Sequence, residues 1–286
     1  MPEIDLEELT NLYKGRYDTY IAALDNTGRE KVRQEVFLDL ALDVTNFDHV
    51  RASLEDMFTS GVILLKKEDN GWRPEKGAEK VDAIKGNNWK VGDGDEADGD
   101  GGSLPKILQL HLMRFSYDWQ TGVMSKIKSR FEFGKVLNLK GICSRDEDDG
   151  GDGAATVTNE DGLVYDLQSA VVHAGEYGSG HYYAYVRPNV RTNKWFRYDD
   201  DRVTPVSFAE VKDDAFGGHV VHRLSKKERR NPQQGLERQN RNKLGLWKRI
   251  CGSVGGRRNE FGWGGRTSSA YMLQYVRRSD IPLLYD

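Results

Sequence analysis

The sequence predicts an α+β fold built on a mostly antiparallel sheet. Three observations carry the prediction. Several segments alternate apolar and polar residues with period two, the mark of half-buried strands. Three strand-like segments follow one another at short turns between residues 164 and 198, as in a β-meander. One stretch after Asn46 instead carries apolar residues at helical spacing.

Residues 13–24 are aromatic and β-prone, and they pair with the next strand across an Asn26-Thr27-Gly28 turn. Val36, Leu38, Leu40, Leu42 and Val44 alternate with Phe37, Asp39, Ala41 and Asp43, which predicts one strand with one core face. Asn46 is placed to cap a helix over residues 47–59, whose Phe47, Val50, Leu54 and Phe58 fall on one side. Residues 107–115 are nearly all apolar, as in a strand covered on both faces. Leu104-Pro105 leads into it, because proline is tolerated at a strand start. Residues 129–133 and 136–139 give shorter strands. The meander follows at 164–173, 181–186 and 194–198, with a glycine-rich loop at 175–180, and a last strand covers 270–276.

Mean hydropathy is −0.70 and 30% of residues are charged, so polar inserts must sit beside a core drawn from the 37% apolar residues. A net charge of −3 selects no partner by bulk electrostatics. The charge is unevenly distributed. Residues 92–102 (GDGDEADGDGG) and 146–153 (DEDDGGDG) are acidic and glycine-rich. A basic Gly/Arg-rich insert covers 219–266, and its 223–258 stretch holds 12 Lys and Arg against two Glu. These inserts have too little apolar surface to offset ordering entropy, and they are expected to be loops. Trp247 and Trp263 are too loosely spaced for a base-stacking surface, so nucleic acid is not an expected partner. Cys143 and Cys251 are the two cysteines, with no CxxC pair. That argues against a cysteine-based zinc ribbon or a disulfide framework and suits a reducing compartment. No apolar run approaches the ~20 residues of a membrane span, and the acidic first residues lack a signal-peptide apolar region. The expectation is a cytoplasmic or nuclear protein with no membrane partner, metal or cofactor.

The chemistry centres on Gly180-His181-Tyr182-Tyr183-Ala184-Tyr185-Val186 and, one hairpin later, Trp195-Phe196-Arg197-Tyr198-Asp199-Asp200-Asp201. A lone strand histidine is usually structural, and three successive acids usually form a solvated turn. Here antiparallel neighbours would bring Asp199 beside His181. Gly178 and Gly180 would let the backbone approach a substrate, and the aromatics at 182–185 would wall the site. A histidine oriented by a carboxylate activates a Cys or Ser nucleophile by removing its proton.

Six ordered blocks now carry a resemblance: residues 104–115 (LPKILQLHLMRF), 126–133 (KIKSRFEF), 165–175 (YDLQSAVVHAG), 180–185 (GHYYAY), 195–201 (WFRYDDD) and 270–275 (AYMLQY). Together they resemble the C-terminal half of a ubiquitin-specific protease catalytic domain, most like the herpesvirus-associated ubiquitin-specific protease and its relatives. The likeness runs from about residue 12 to 278, interrupted by the inserts. It implies part of a papain-like cysteine protease fold, with fingers and palm but no thumb, and cleavage after the C-terminal glycine of ubiquitin. It implies that His181 is the general base, that Asp199 orients it, and that Asp200 assists. It also implies that Phe115, His173, Tyr182 and Tyr271 line the channel for the ubiquitin tail. That tail ends in two glycines, so narrow aromatic walls would exclude bulkier ends.

The departure from the family is the nucleophile. The family's Asn-Thr-Cys segment occurs nowhere in this sequence. Cys143 borders an acidic loop, which disfavours a thiolate, and Cys251 sits inside the basic insert. Neither is expected to be the nucleophile. The chain alone is therefore expected to be inactive, with ubiquitin and ubiquitinated proteins as partners and a complementing N-terminal half of the domain supplying the thiol. A non-catalytic ubiquitin-binding module, or pseudo-protease, is the alternative. A binder of acidic surfaces through the basic insert is a third reading.

Overall fold

The computed structural model describes residues 6–91, 103–145, 160–218 and 267–285. The inserts at 92–102, 146–153 and 219–266, with Cys251, Trp247 and Trp263, lie outside the described residues. The fold is α+β and dominated by antiparallel pairing. Helix α1 (Leu6–Tyr13) precedes the hairpin β1 (Gly15–Ala23) and β2 (Glu30–Phe37). Then come β3 (Leu40–Leu42), α2 (Val50–Thr59), β4 (Val62–Leu64), β5 (Ala83–Val91), β6 (Ile107–Leu112), and the hairpin β7 (Phe115–Asp118) and β8 (Val123–Lys126). Next are β9 (Val136–Asn138), β10 (Cys143–Arg145), β11 (Val164–Glu176), β12 (Ser179–Val186), β13 (Trp195–Asp199) and β14 (Arg202–Val206). Helix α3 (Phe208–Ala215), β15 (Ser268–Arg277) and α4 (Ile281–Tyr285) complete the chain.

Among the described residues the strands form three sheets. An eight-stranded sheet runs β14-β13-β12-β11-β15-β6-β3, with β9 added on β11. A five-stranded sheet runs β10-β5-β1-β2, with β4 added on β5. The hairpin β7-β8 stands apart. The anticipated β1–β2 hairpin is present, with Ala22 opposite Glu30 and both Asn26 (φ 58) and Gly28 (φ 66) in the left-handed region.

Four expected elements differ. The strand expected over residues 107–115 ends at Leu112, and Phe115 starts β7 in the separate hairpin. The single strand over residues 36–44 is two strands in different sheets. A bend at Leu38 and Asp39 switches the inward parity from Phe37 to Leu40, Leu42 and Val44, and leaves Val36 and Leu38 exposed. Helix α2 starts at Val50, later than expected, with His49 at its N-cap, and the Asn46 amide donates to Asp43. Residues 129–133 form no strand beyond an isolated bridge from Glu132 to His49, although Phe131 and Phe133 are buried.

One apolar core joins the two large sheets. Trp89 of β5 is fully buried within it, with ring centroids 5.4 Å from Phe37 and 4.9 Å from Phe58 of α2, and its indole donates to Ser103 O. An aromatic of this size accounts for about 150–250 Å² of buried surface, which makes it a principal anchor of the contact. Arg114 is buried at the other end. It donates to the carbonyls of Ile127 and Ser129 after β8, Ala270 in β15 and Phe216 after α3. Burial pushes its guanidinium down to about 10, which leaves it charged at neutral pH and able to hold all three segments. Those segments frame the site.

Candidate active site

Register determines which side chains meet. In the β12–β13 pair Tyr185 lies opposite Arg197 and Ala184 opposite Tyr198. Alternation then puts His181, Tyr183 and Tyr185 on the same face as Trp195, Arg197 and Asp199. Asp199 pairs with Arg202, so Asp200 and Asp201 make the β13–β14 turn, with Asp200 left-handed (φ 53). Aspartate tolerates that conformation better than most residues, and this explains why acids occupy the turn.

His181 Nε2 lies 2.5 Å from Asp199 Oδ1. Arg197 Nη2 donates to the other oxygen, Oδ2, at 2.7 Å. Burial pushes the Asp199 carboxyl up, but the His181 hydrogen bond and the Arg197 charge outweigh it and hold the group below the usual carboxylate range. With the carboxylate ionised, Nε2 donates to it and Nδ1 is the ring nitrogen left for another partner. Both side chains are partly exposed, at 28% and 24%, so the pair is open to an incoming reactant. One oxygen of Asp200 completes a group whose atoms lie within 4.8 Å of one another, while its side chain faces solvent. The acid run therefore divides: Asp199 is captured by the imidazole, and Asp200 and Asp201 are exposed.

Behind the pair stands a layer that the sequence reading did not include. The Arg197 guanidinium carbon lies 3.9 Å from the centroid of the Tyr183 ring. The hydroxyls of Tyr183 and Tyr185 both donate to Asp214 Oδ2, and Ser268 Oγ donates to Asp214 Oδ1 at 2.6 Å. Asp214 is delivered by α3, which begins in a reciprocal capping box between Ser207 and Glu210.

Tyr182 points to the opposite face of β12, where His173 pairs with it across the ladder. Phe115, His173, Tyr182 and Tyr271 are in mutual ring contact: Phe115–His173 at 5.6 Å, His173–Tyr182 at 4.6 Å, Tyr182–Tyr271 at 5.8 Å and Phe115–Tyr271 at 5.9 Å. All four residues named from the sequence thus come together. His111, at 4.7 Å from Tyr271, and Tyr177, at 5.6 Å from Phe115, extend the set. Strand parity marks neither of them: His111 lies opposite Met272, Tyr271 sits at a register shift, and Tyr177 is in the turn between β11 and β12. His173 is buried, and burial followed by the Lys126 charge holds its imidazole below the ordinary range. Lys126 is itself buried and donates to the carbonyls of His173 and Thr267, both at 2.7 Å, which ties the β7–β8 hairpin to β11 and β15. Desolvation pushes its ammonium down to about 8.

Between residues 175 and 180 one glycine serves packing and another the turn. A Cβ on Gly180 would lie 2.3 Å from His173 Nε2, so its hydrogen makes room for that ring. Gly178 supplies the turn with φ 76, and nothing lies within 4 Å of its Cβ position.

Cys143 sits on β10 in the five-stranded sheet, paired with Trp89, whereas His181 is on the eight-stranded sheet. Burial pushes its thiol up to about 12, the opposite of what a nucleophile needs.

Comparison with known proteins gives this geometry a family. The family model for ubiquitin carboxyl-terminal hydrolase matches residues 7–275. Ubiquitin carboxyl-terminal hydrolase 15 of Schizosaccharomyces pombe is 33% identical over 216 residues, covering 75% of this chain and 17% of the relative. Ubiquitin C-terminal hydrolase 12 of Arabidopsis thaliana is 30% identical over 276 residues, covering 95% of this chain and 20% of the relative. The chain thus spans a fifth or less of the length of these curated relatives. A solved SAGA DUB module, Ubp8 with Sgf11, Sus1 and Sgf73 bound to monoubiquitin, superposes with a TM-score of 0.58 and 20% identity over 97% of this chain and 44% of that one. That likeness is one of fold. With a family match over nearly its whole length, the chain belongs to the ubiquitin carboxyl-terminal hydrolase family.

Proposed function

We propose that this chain supplies the base and its orienting carboxylate for thiol-dependent cleavage of bonds to the C-terminal glycine of ubiquitin. His181 is the general base, acting through Nδ1. Asp199 fixes the tautomer and stabilises the imidazolium, and Asp200 assists from the turn. Phe115, His173, Tyr182 and Tyr271 line the channel for the ubiquitin tail, whose two glycines carry no side chain to collide with aromatic walls. The order and spacing of the six sequence blocks support a place beside the herpesvirus-associated ubiquitin-specific protease. Two cysteines with no CxxC pair support a cytoplasmic or nuclear location. The observation that carries the reading is the His181 Nε2 to Asp199 Oδ1 contact of 2.5 Å, at the strand end that also bears Tyr182.

The thiol comes from outside this sequence, from a complementing segment of the same kind of domain. The position and raised pKa of Cys143 support this, as does the place of Cys251 within the basic insert. Alone, the chain binds ubiquitin and ubiquitinated proteins without cutting them, and the same thiol chemistry favours the second reading, a ubiquitin-binding pseudo-protease. The test is calorimetric titration with ubiquitin and with ubiquitin lacking its two terminal glycines. Saturable binding that weakens about tenfold or more on truncation, and likewise in Tyr271→Ala, supports the channel. Binding indifferent to both changes overturns it.

A further inference from the structure

We propose that Arg197 is a positioning residue for the His181–Asp199 pair, fixing the orientation of the carboxylate that meets the imidazole. The inference rests on the role given to that pair above. A carboxylate held through one oxygen retains rotation about its terminal torsion, which is broad and roughly two-fold. Here each oxygen has its own partner: Oδ1 meets His181 Nε2 at 2.5 Å, and Oδ2 accepts from Arg197 Nη2 at 2.7 Å. The second contact removes the rotation. It also places a fixed positive charge where it favours the ionised acid, the form that accepts from Nε2 and thereby leaves Nδ1 free.

Arg197 can do this because it is itself fixed. It lies on the same face of β13 as Asp199, two residues away, so both heads project to the same side. Its guanidinium stacks 3.9 Å from the Tyr183 ring centroid, and Tyr183 is buried with its hydroxyl tied to Asp214 on α3. Rigidity therefore passes from Asp214 through Tyr183 and Arg197 to Asp199 and His181. Arg197 Nε is buried and has no hydrogen-bond partner among the described residues. Its position thus leaves its own hydrogen-bonding capacity incomplete while serving the acid. Lysine would keep the charge but not the flat stacked head.

The test needs no thiol. The purified chain is labelled with 15N in its histidine rings, and His181 is assigned by His181→Gln. At mildly alkaline pH the wild-type imidazole is expected to show two widely separated ring-nitrogen signals with Nε2 protonated. In Arg197→Leu the two signals should draw together as tautomers mix, while the amide spectrum stays dispersed. Arg197→Lys should restore part of the separation. Arg197→Gln gives the same reading if the leucine variant does not fold. An unchanged, Nε2-protonated pair of signals in Arg197→Leu or Arg197→Gln overturns the positioning role and leaves the pair's own role intact. A wild-type ring without the Nε2-protonated form overturns the reading of the pair itself.

Discussion

Gly180→Ala places a methyl where the fold has no room. The new Cβ would lie 2.3 Å from His173 Nε2 and 2.6 Å from Ala174 O, against an ordinary contact of 3.4–4 Å. To relieve the first clash the His173 ring must move by more than an ångström. It is buried and packed at 4.6 Å on Tyr182 and 5.6 Å on Phe115, so those rings must move with it. Overpacking of this kind costs about 1–3 kcal/mol. For a domain of this size that lowers the melting temperature by about 2–12 °C. Urea denaturation of wild type, Gly180→Ala, His173→Ala and the double variant measures the coupling. Without the imidazole only the Ala174 contact remains, so the double variant should recover at least about 1 kcal/mol relative to the sum of the singles. The displaced ring should also weaken ubiquitin binding in Gly180→Ala. Wild-type stability in Gly180→Ala, or strict additivity of the two changes, would refute the view that the glycine makes room for His173.

Three further outcomes follow from the same geometry. Asp199 has a lowered folded-state pKa, so its contribution to stability is present above the unfolded value of about pH 4 and is lost as pH falls through the lower folded value. The wild-type stability profile should therefore decline on acidification with a component that Asp199→Asn removes, and identical profiles would contradict the ionised pair. In a Cys251→Ser background, Cys143 should react with a thiol reagent on the order of a hundredfold more slowly folded than in urea, because its thiol is pushed up to about 12; equal rates would show an accessible thiolate. Replacing Arg114 by Met removes its donors from the carbonyls of Ile127, Ser129, Ala270 and Phe216, two of these contacts buried and two part-buried, and should cost about 1–3 kcal/mol in chemical denaturation; an unchanged midpoint would contradict the role given to Arg114.

Local chemistry was legible where a short stretch of chain decides the outcome. The β1–β2 turn, a strand starting at Ile107, and the meander from Val164 to Asp199 all follow from apolar patterning and turn residues, although the strand at 107 buries only one face fully and ends at Leu112. The His181–Asp199 meeting followed because one hairpin separates the two residues. Features decided by distant partners were not legible. The Val36–Val44 alternation is real, but the bend at Leu38 and Asp39 sends its halves to different sheets, β2 against β1 and β3 in parallel beside β6. Phe131 and Phe133 are inward without strand pairing because the chain there is held by Arg114 and by neighbouring loops. The capping box at Ser207 and Glu210 was readable as Ser-x-x-Glu before an apolar residue, and it would have revealed α3 and hence Asp214. Nothing in the sequence marked Arg197; the register puts it beside Asp199 and over the Tyr183 ring.

The proposed assembly has the base and acid of a thiol hydrolase here and the thiol on another segment. Its most direct test is incubation of the purified chain with ubiquitin bearing a C-terminal thiol-reactive electrophile, followed by intact-mass analysis. The expected result is no covalent adduct on Cys143 or Cys251, alongside reversible binding of unmodified ubiquitin. An adduct on either cysteine that disappears in His181→Ala would contradict the claim.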